Sequence, residues 1–105
     1  MQFPVTQDGQ DVGYVVLTLC YSMEYGGTTA LVDDLFIRLP SRRAGLATAA
    51  LAEVRAFCVR GAIRAIHVET GRDNAAALSV YRQAGFTPTD RQHLTLRLAN
   101  PTHEE

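Results

Sequence analysis

Two short stretches carry residues that could do chemistry. The first is Arg42-Arg43-Ala44-Gly45-Leu46-Ala47-Thr48, where two cations and a set of small residues open an alanine-rich apolar run. The first N–H groups of a helix have no intrahelical acceptor and carry partial positive charge. Small residues at 44, 45 and 47 let a ligand come close to the main chain. The segment therefore suits a pyrophosphate held by amide donors with a guanidinium nearby. Read alone, it fits an ordinary loop entering a helix, with its arginines in solvent, just as well. It lacks the Gly-Lys-Ser/Thr ending of a nucleotide-binding loop and the first glycine of G-x-G-x-x-G. The second stretch is Asp33-Asp34, in the middle of "ALVDDLFIRL". Successive side chains on a strand point to opposite faces, so one of the two is expected to face a given cleft. A carboxylate in apolar surroundings is costly unless paired or functional, and burial makes such a group a better base near neutral pH. Structural hydrogen bonds to neighbouring loops are the other reading of the pair.

The remaining reactive side chains form no motif. Glu69 is a third acid, equally explained by a solvated strand edge, and His67 alternates with it as a lone strand histidine. His93 and His103 stand alone, and the three histidines lack metal-ligand spacing, so no metal is expected. Ser79 has no matched base. Cys20 and Cys58 sit in apolar runs without a C-x-x-C pattern and read as buried free thiols in a reducing cytoplasm.

The elements that must position these residues follow from patterning. The chain has 105 residues, which fits one domain, taken as residues 1–99 with a loose tail at 100–105. Its net charge of −1 argues against broad electrostatic binding to nucleic acid or acidic membranes. No apolar stretch approaches the ~20 residues of a membrane helix and no signal peptide is evident, so a cytoplasmic location is expected. "FPVTQDGQDVGYVVLTLCYS" reads as a hairpin turning at Asp8-Gly9. "ALVDDLFIRL" reads as a third strand, apolar enough for burial on both faces apart from its two acids. "GLATAALAEVRAFCVRG" is helical, with Leu46, Ala47, Ala50, Leu51, Val54 and Cys58 as its apolar stripe and Gly61 as its stop. "AIRAIHVET" is a further strand. "RDNAAALSVYRQAGF" is a second helix, capped by Asp73 or Asn74 and stopped at Gly85. "HLTLRL" closes the chain as a last strand. The fold class is a mixed, mainly antiparallel α/β sheet with a β-α-β-α unit at its centre.

With both segments in this order, the chain resembles the GNAT superfamily of acetyl-CoA-dependent N-acetyltransferases. Arg42 to Ala47 is similar to the family's R/Q-x-x-G-x-G/A motif, and "VETGRDNAAALSVYRQAGF" looks like its next strand and helix, including Asn74, Tyr81 and Gly85-Phe86. The resemblance implies acetyl-CoA as cosubstrate. Its pyrophosphate would lie on the loop ahead of the first helix, Arg42, Arg43, Ala44, Gly45, Leu46, Ala47 and Thr48. Its pantetheine arm would pair with Leu35, Phe36 and Ile37 like an added strand. Asn74 would contact the cofactor, with Ala77 packed beside it. Tyr81 would be the acid that protonates the departing sulfur. In the polyamine acetyltransferase branch an acid in the preceding strand acts as base, which puts Asp33 at that position with Asp34 as its neighbour. The implied partner is a polyamine or other small primary amine, or a peptide amine, attacked directly in a ternary complex, and homodimers are common in the family. The family's first strand and two helices, one wall of the acceptor site, have no counterpart ahead of "MQFPV". A non-catalytic acetyl-CoA-binding or assembly module is the alternative.

Overall fold

The two-residue turn at Asp8-Gly9 sets the first register of the sheet. Both residues have positive φ, 53° and 80°, as a tight hairpin turn between right-twisted strands requires. The computed structural model describes residues 1–38, 45–71 and 73–99. Strands β1 (Gln2–Gln7) and β2 (Gln10–Ser22) flank the turn as an antiparallel pair. A second turn, Met23 to Gly26, leads into β3 (Gly27–Ile37), antiparallel to β2. Helix α1 (Leu46–Arg60) then crosses to β4 (Ile66–Val68), which lies parallel to β3, and α2 (Ala75–Gln83) follows. The sheet order is β1-β2-β3-β4.

Alternation on the strands and a four-residue repeat on α1 build the core. Val5, Val12, Val15, Leu17, Ala30, Val32 and Ile37 from the sheet meet Ala50, Val54 and Cys58 from α1. Leu51 is buried with them, while Leu46 and Ala47 pack at the margin, so the helix stripe lies where its spacing puts it. Phe3 and Phe57 pack edge to face at 5.0 Å and tie β1 to α1. Gly61 ends α1, its N–H donating to the Phe57 carbonyl. Gly85 follows α2 at a φ of 102°, a conformation that costs glycine little.

Three elements differ from the sequence expectation. Strand β3 is buried on one face only: Asp33, Asp34 and Phe36 are exposed on the other. The strand expected over "AIRAIHVET" shortens to three residues, because β4 pairs only with Ala30, Leu31 and Val32. The "HLTLRL" segment forms no strand. Period-2 leucines favour a strand, but a strand exists only beside a partner. Here Arg91 pairs with Glu24 at 2.9 Å and His93 with Glu69 at 2.7 Å, and beyond them Leu94, Leu96 and Leu98 stay at least 81% exposed. The expected tail, 100–105, lies outside the described residues.

Candidate active site

The site is built from the end of β3, the start of α1 and the first turns of α2. Gly45 precedes α1 with φ 72° and ψ 14°, the left-handed region that favours glycine. No side chain caps the helix there, so among the described residues the first-turn amides receive no side-chain acceptor. A Cβ placed on Gly45 would meet nothing within 4 Å. The glycine is thus required by backbone conformation, and the space beside it is open to a ligand. These features fit a pyrophosphate: amide donors with no side-chain acceptor among the described residues, and the positive end of a 15-residue helix. Leu46, Ala47 and Thr48 occupy the first turn, with Thr48 exposed. Arg42, Arg43 and Ala44 lie outside the described residues.

Strand β3 outruns its parallel neighbour. Pairing with β4 ends at Val32, whereas β3 continues through Leu35, Phe36 and Ile37, which pair with Val15, Tyr14 and Gly13 of β2. The β4-facing side of these last residues is therefore not covered by β4, and an extended chain of amides could lie along it. Leu35 and Ile37 turn toward the core, and Phe36 faces outward.

The two aspartates share a face, against the expectation from simple alternation. The register slips between Val16 and Leu17: Val16 faces Asp34 while Leu17 faces Val32, which leaves Asp33 as the extra residue of a β-bulge. A bulge sets two consecutive residues of one strand against one residue of its neighbour. Val15 and Leu17 of β2 are buried in the core, so Tyr14, Val16 and Thr18 project the other way. Asp33 accepts a hydrogen bond from the Thr18 hydroxyl, and Asp34 Oδ2 accepts one from the Tyr14 hydroxyl at 3.0 Å. Both carboxylates are exposed rather than buried, and each is held by a hydroxyl from β2. The Tyr14 ring stacks on Phe36 at 5.5 Å with 30° between planes.

Tyr81 lies half-buried on α2, edge to face with Phe86 at 5.7 Å. Burial first, and then the charge of Asp34, holds its phenol above the ordinary 10.0. The hydrogen bond to Asp34 first, and then its charge, raises the Tyr14 phenol in the same way. Asp34 thus acts on two phenols. Asn74 is the α2 cap: its Oδ1 accepts from the Ala77 N–H at 3.2 Å, which leaves the amide NH2 to donate elsewhere. Ala77 is half-buried one turn on.

The other candidates have partners of their own, although Glu69 shares a groove with Tyr81. His67 packs edge to face with Tyr25 at 5.4 Å, and Glu69 is engaged by His93. Cys58 is buried as expected, and its thiol is pushed up from 9.0 by burial. Cys20 is exposed, on the outer part of β2 beyond the core. Among the described residues no three His, Cys, Asp or Glu side chains form a metal site, and no helix is long and apolar enough to cross a membrane. Sequence reasoning missed Tyr14 and Thr18. Their positions, directly before Val15 and directly after Leu17 on β2, were legible, but their partners depended on an unseen bulge.

Comparison with known families decides what this arrangement belongs to. The profile of the acetyltransferase (GNAT) family matches residues 2–86. The chain is a GNAT protein. Its fold is that of GNAT structures. An integron cassette protein from the mobile metagenome of Cole Harbour Salt Marsh is 42% identical, with a TM-score of 0.82 over 98% of this chain and 62% of that one. The GNAT chain described here thus spans less than two thirds of that protein. The aminoglycoside acetyltransferase AAC(6')-Iy, solved with the bisubstrate analog CoA-S-monomethyl-acetylneamine, is 19% identical, with a TM-score of 0.76 over 93% of this chain and 69% of that one. A ribosomal-protein-alanine N-acetyltransferase from Brucella melitensis biovar Abortus is 18% identical, with a TM-score of 0.79 over 92% of this chain and 70% of that one. A comparison with curated proteins finds no match.

Proposed function

We propose that this GNAT chain is an acetyl-CoA-dependent N-acetyltransferase acting on a polyamine or other small primary amine. The observation that supports it most is the left-handed Gly45 at the start of α1, together with a β3 that runs on past its pairing with β4. Gly45, Leu46, Ala47 and Thr48 would hold the pyrophosphate, with Arg42, Arg43 and Ala44 ahead of them. Leu35, Phe36 and Ile37 would pair with the pantetheine arm, and Asn74 and Ala77 would flank it. When bound, acetyl-CoA supplies the thioester whose acyl carbon the amine attacks.

The chain's own residues then manage protons. An amine arrives as an ammonium and must lose a proton to attack. The carboxylate pair Asp33 and Asp34 attracts that cation and takes the proton, which passes to solvent. As the C–N bond forms and the C–S bond breaks, the Tyr81 hydroxyl gives its proton to sulfur. The nitrogen's second proton restores it. A phenol held above its ordinary range stays protonated at neutral pH, as a proton donor must. The small basic amine is supported by the exposed acid pair and by the aminoglycoside activity of one structural neighbour. A cytoplasmic enzyme is supported by its free thiols. A homodimer is supported by β1 at the sheet edge, since edge strands invite pairing.

Thiol release from acetyl-CoA, measured over a panel of diamines, polyamines and aminoglycosides, tests the reading. Turnover with at least one amine is expected. Binding of acetyl-CoA without turnover on any amine favours the second reading, a cofactor-binding module. The observation behind that reading is that Asp33 and Asp34 each already accept a hydrogen bond from a β2 hydroxyl.

A further inference from the structure

We propose, resting on the acetyl-transfer reading above, that Asp34 is the carboxylate that takes the acceptor's proton and that Tyr14 is the residue that positions it. The bulge at Asp33 brings both acids onto one face, so alternation no longer chooses between them. Their surroundings do. Asp33 accepts from the Thr18 hydroxyl, whereas Asp34 Oδ2 accepts, at 3.0 Å, from a Tyr14 hydroxyl whose ring is stacked on Phe36. The base and the proton donor of an acyl transfer must address the same reacting centre, and Asp34 is the carboxylate that directly precedes Leu35, Phe36 and Ile37, where the pantetheine is proposed to lie; the raised Tyr81 phenol accords with this. A carboxylate on an exposed strand turns freely about its last torsion. Tyr14 removes that freedom. Its ring is fixed by the stack on Phe36, and its hydroxyl engages Oδ2, which presents Oδ1 to the ammonium. Tyr14 donates to the charged form and touches no substrate; it acts through Asp34.

Tyr14→Phe keeps the stack and deletes the hydroxyl. We expect kcat to fall roughly tenfold while the KM for acetyl-CoA stays within about twofold, as for a misoriented catalytic group. The loss should vanish when the same change is made in an Asp34→Ala background. Asp34→Asn should cost more in kcat than Asp33→Asn. Wild-type kcat in Tyr14→Phe, or the reverse order of the two aspartates, overturns the proposal. Tyr21→Phe, on the exposed far part of β2, serves as the control and should leave turnover unchanged. A second readout needs no activity. Alkaline difference spectra between wild type and Tyr14→Phe give the Tyr14 phenol titration, expected above 10.0 and returning toward 10.0 in Asp34→Asn. An unmoved titration overturns the contact even in an active enzyme. Absence of wild-type turnover on every amine instead overturns the acetyl-transfer reading, while the titration still reports whether Tyr14 holds Asp34.

Discussion

Tyr81 is placed to keep its proton. Half-burial and the charge of Asp34 push its phenol upward, so at neutral pH it stays protonated, as the proposed proton donor must. Tyr81→Phe preserves the packing on Phe86 and removes only the transferable proton. Turnover should fall by roughly 100-fold or more, with acetyl-CoA affinity nearly unchanged; equal turnover in steady-state assays would show that Tyr81 is not the acid. The types and positions of these residues were legible in the sequence, as was Gly45, while the α2 cap was narrowed to Asp73 or Asn74 and is Asn74. The sharing of one face by Asp33 and Asp34 was not. A bulge adds no residue type of its own, and alternation read through "VDDLF" assigns the two acids to opposite faces.

The same bulge and the short β4 show how the elements shape the site. Because β4 pairs only with Ala30, Leu31 and Val32, β3 runs on past it to the segment where the pantetheine is proposed to lie. Gly13 governs that end from the β2 side. A Cβ on Gly13 would meet the Phe36 carbonyl oxygen at 2.0 Å and the Ile37 Cα at 3.0 Å, both main-chain atoms that cannot swing aside. Gly13→Ala should therefore push β3 out of register where the pantetheine is proposed to lie. We expect a loss of about 2 kcal/mol in urea denaturation, together with weaker acetyl-CoA binding. Unchanged stability would mean that β2 and β3 separate more easily than their pairing implies. The strands and helices themselves were readable from the Asp-Gly turn, the alanine-rich stripe and the terminal glycines. The last strand was not, since Leu94, Leu96 and Leu98 carry the right period but lack a partner, which no local pattern reveals.

Among the described residues of the whole chain, three groups are held above their ordinary values: Cys58 above 9.0, and Tyr14 and Tyr81 above 10.0. On unfolding each returns to its ordinary value, so the unfolded chain loses protons first as pH rises. Stability from these groups is therefore fully present below about pH 8.5 and lost as pH climbs through and beyond 9.0 to 10.0. Denaturation midpoints should fall between about pH 8 and about pH 10.5, and Cys58→Ala should flatten the first part of the fall. A midpoint that is constant over that range would contradict the burial of Cys58. The account as a whole stands on the start of α1 as an anion cradle. Titration calorimetry with acetyl-CoA on wild type, Gly45→Ala and Gly45→Glu tests it most directly. Alanine carries only the cost of a positive φ, about 1 kcal/mol, whereas glutamate adds a charge against the pyrophosphate. Wild type should bind, Gly45→Ala should bind more weakly, and Gly45→Glu should lose at least ~100-fold while still folding. Wild-type affinity in Gly45→Glu, or no binding by the wild type, would contradict the account.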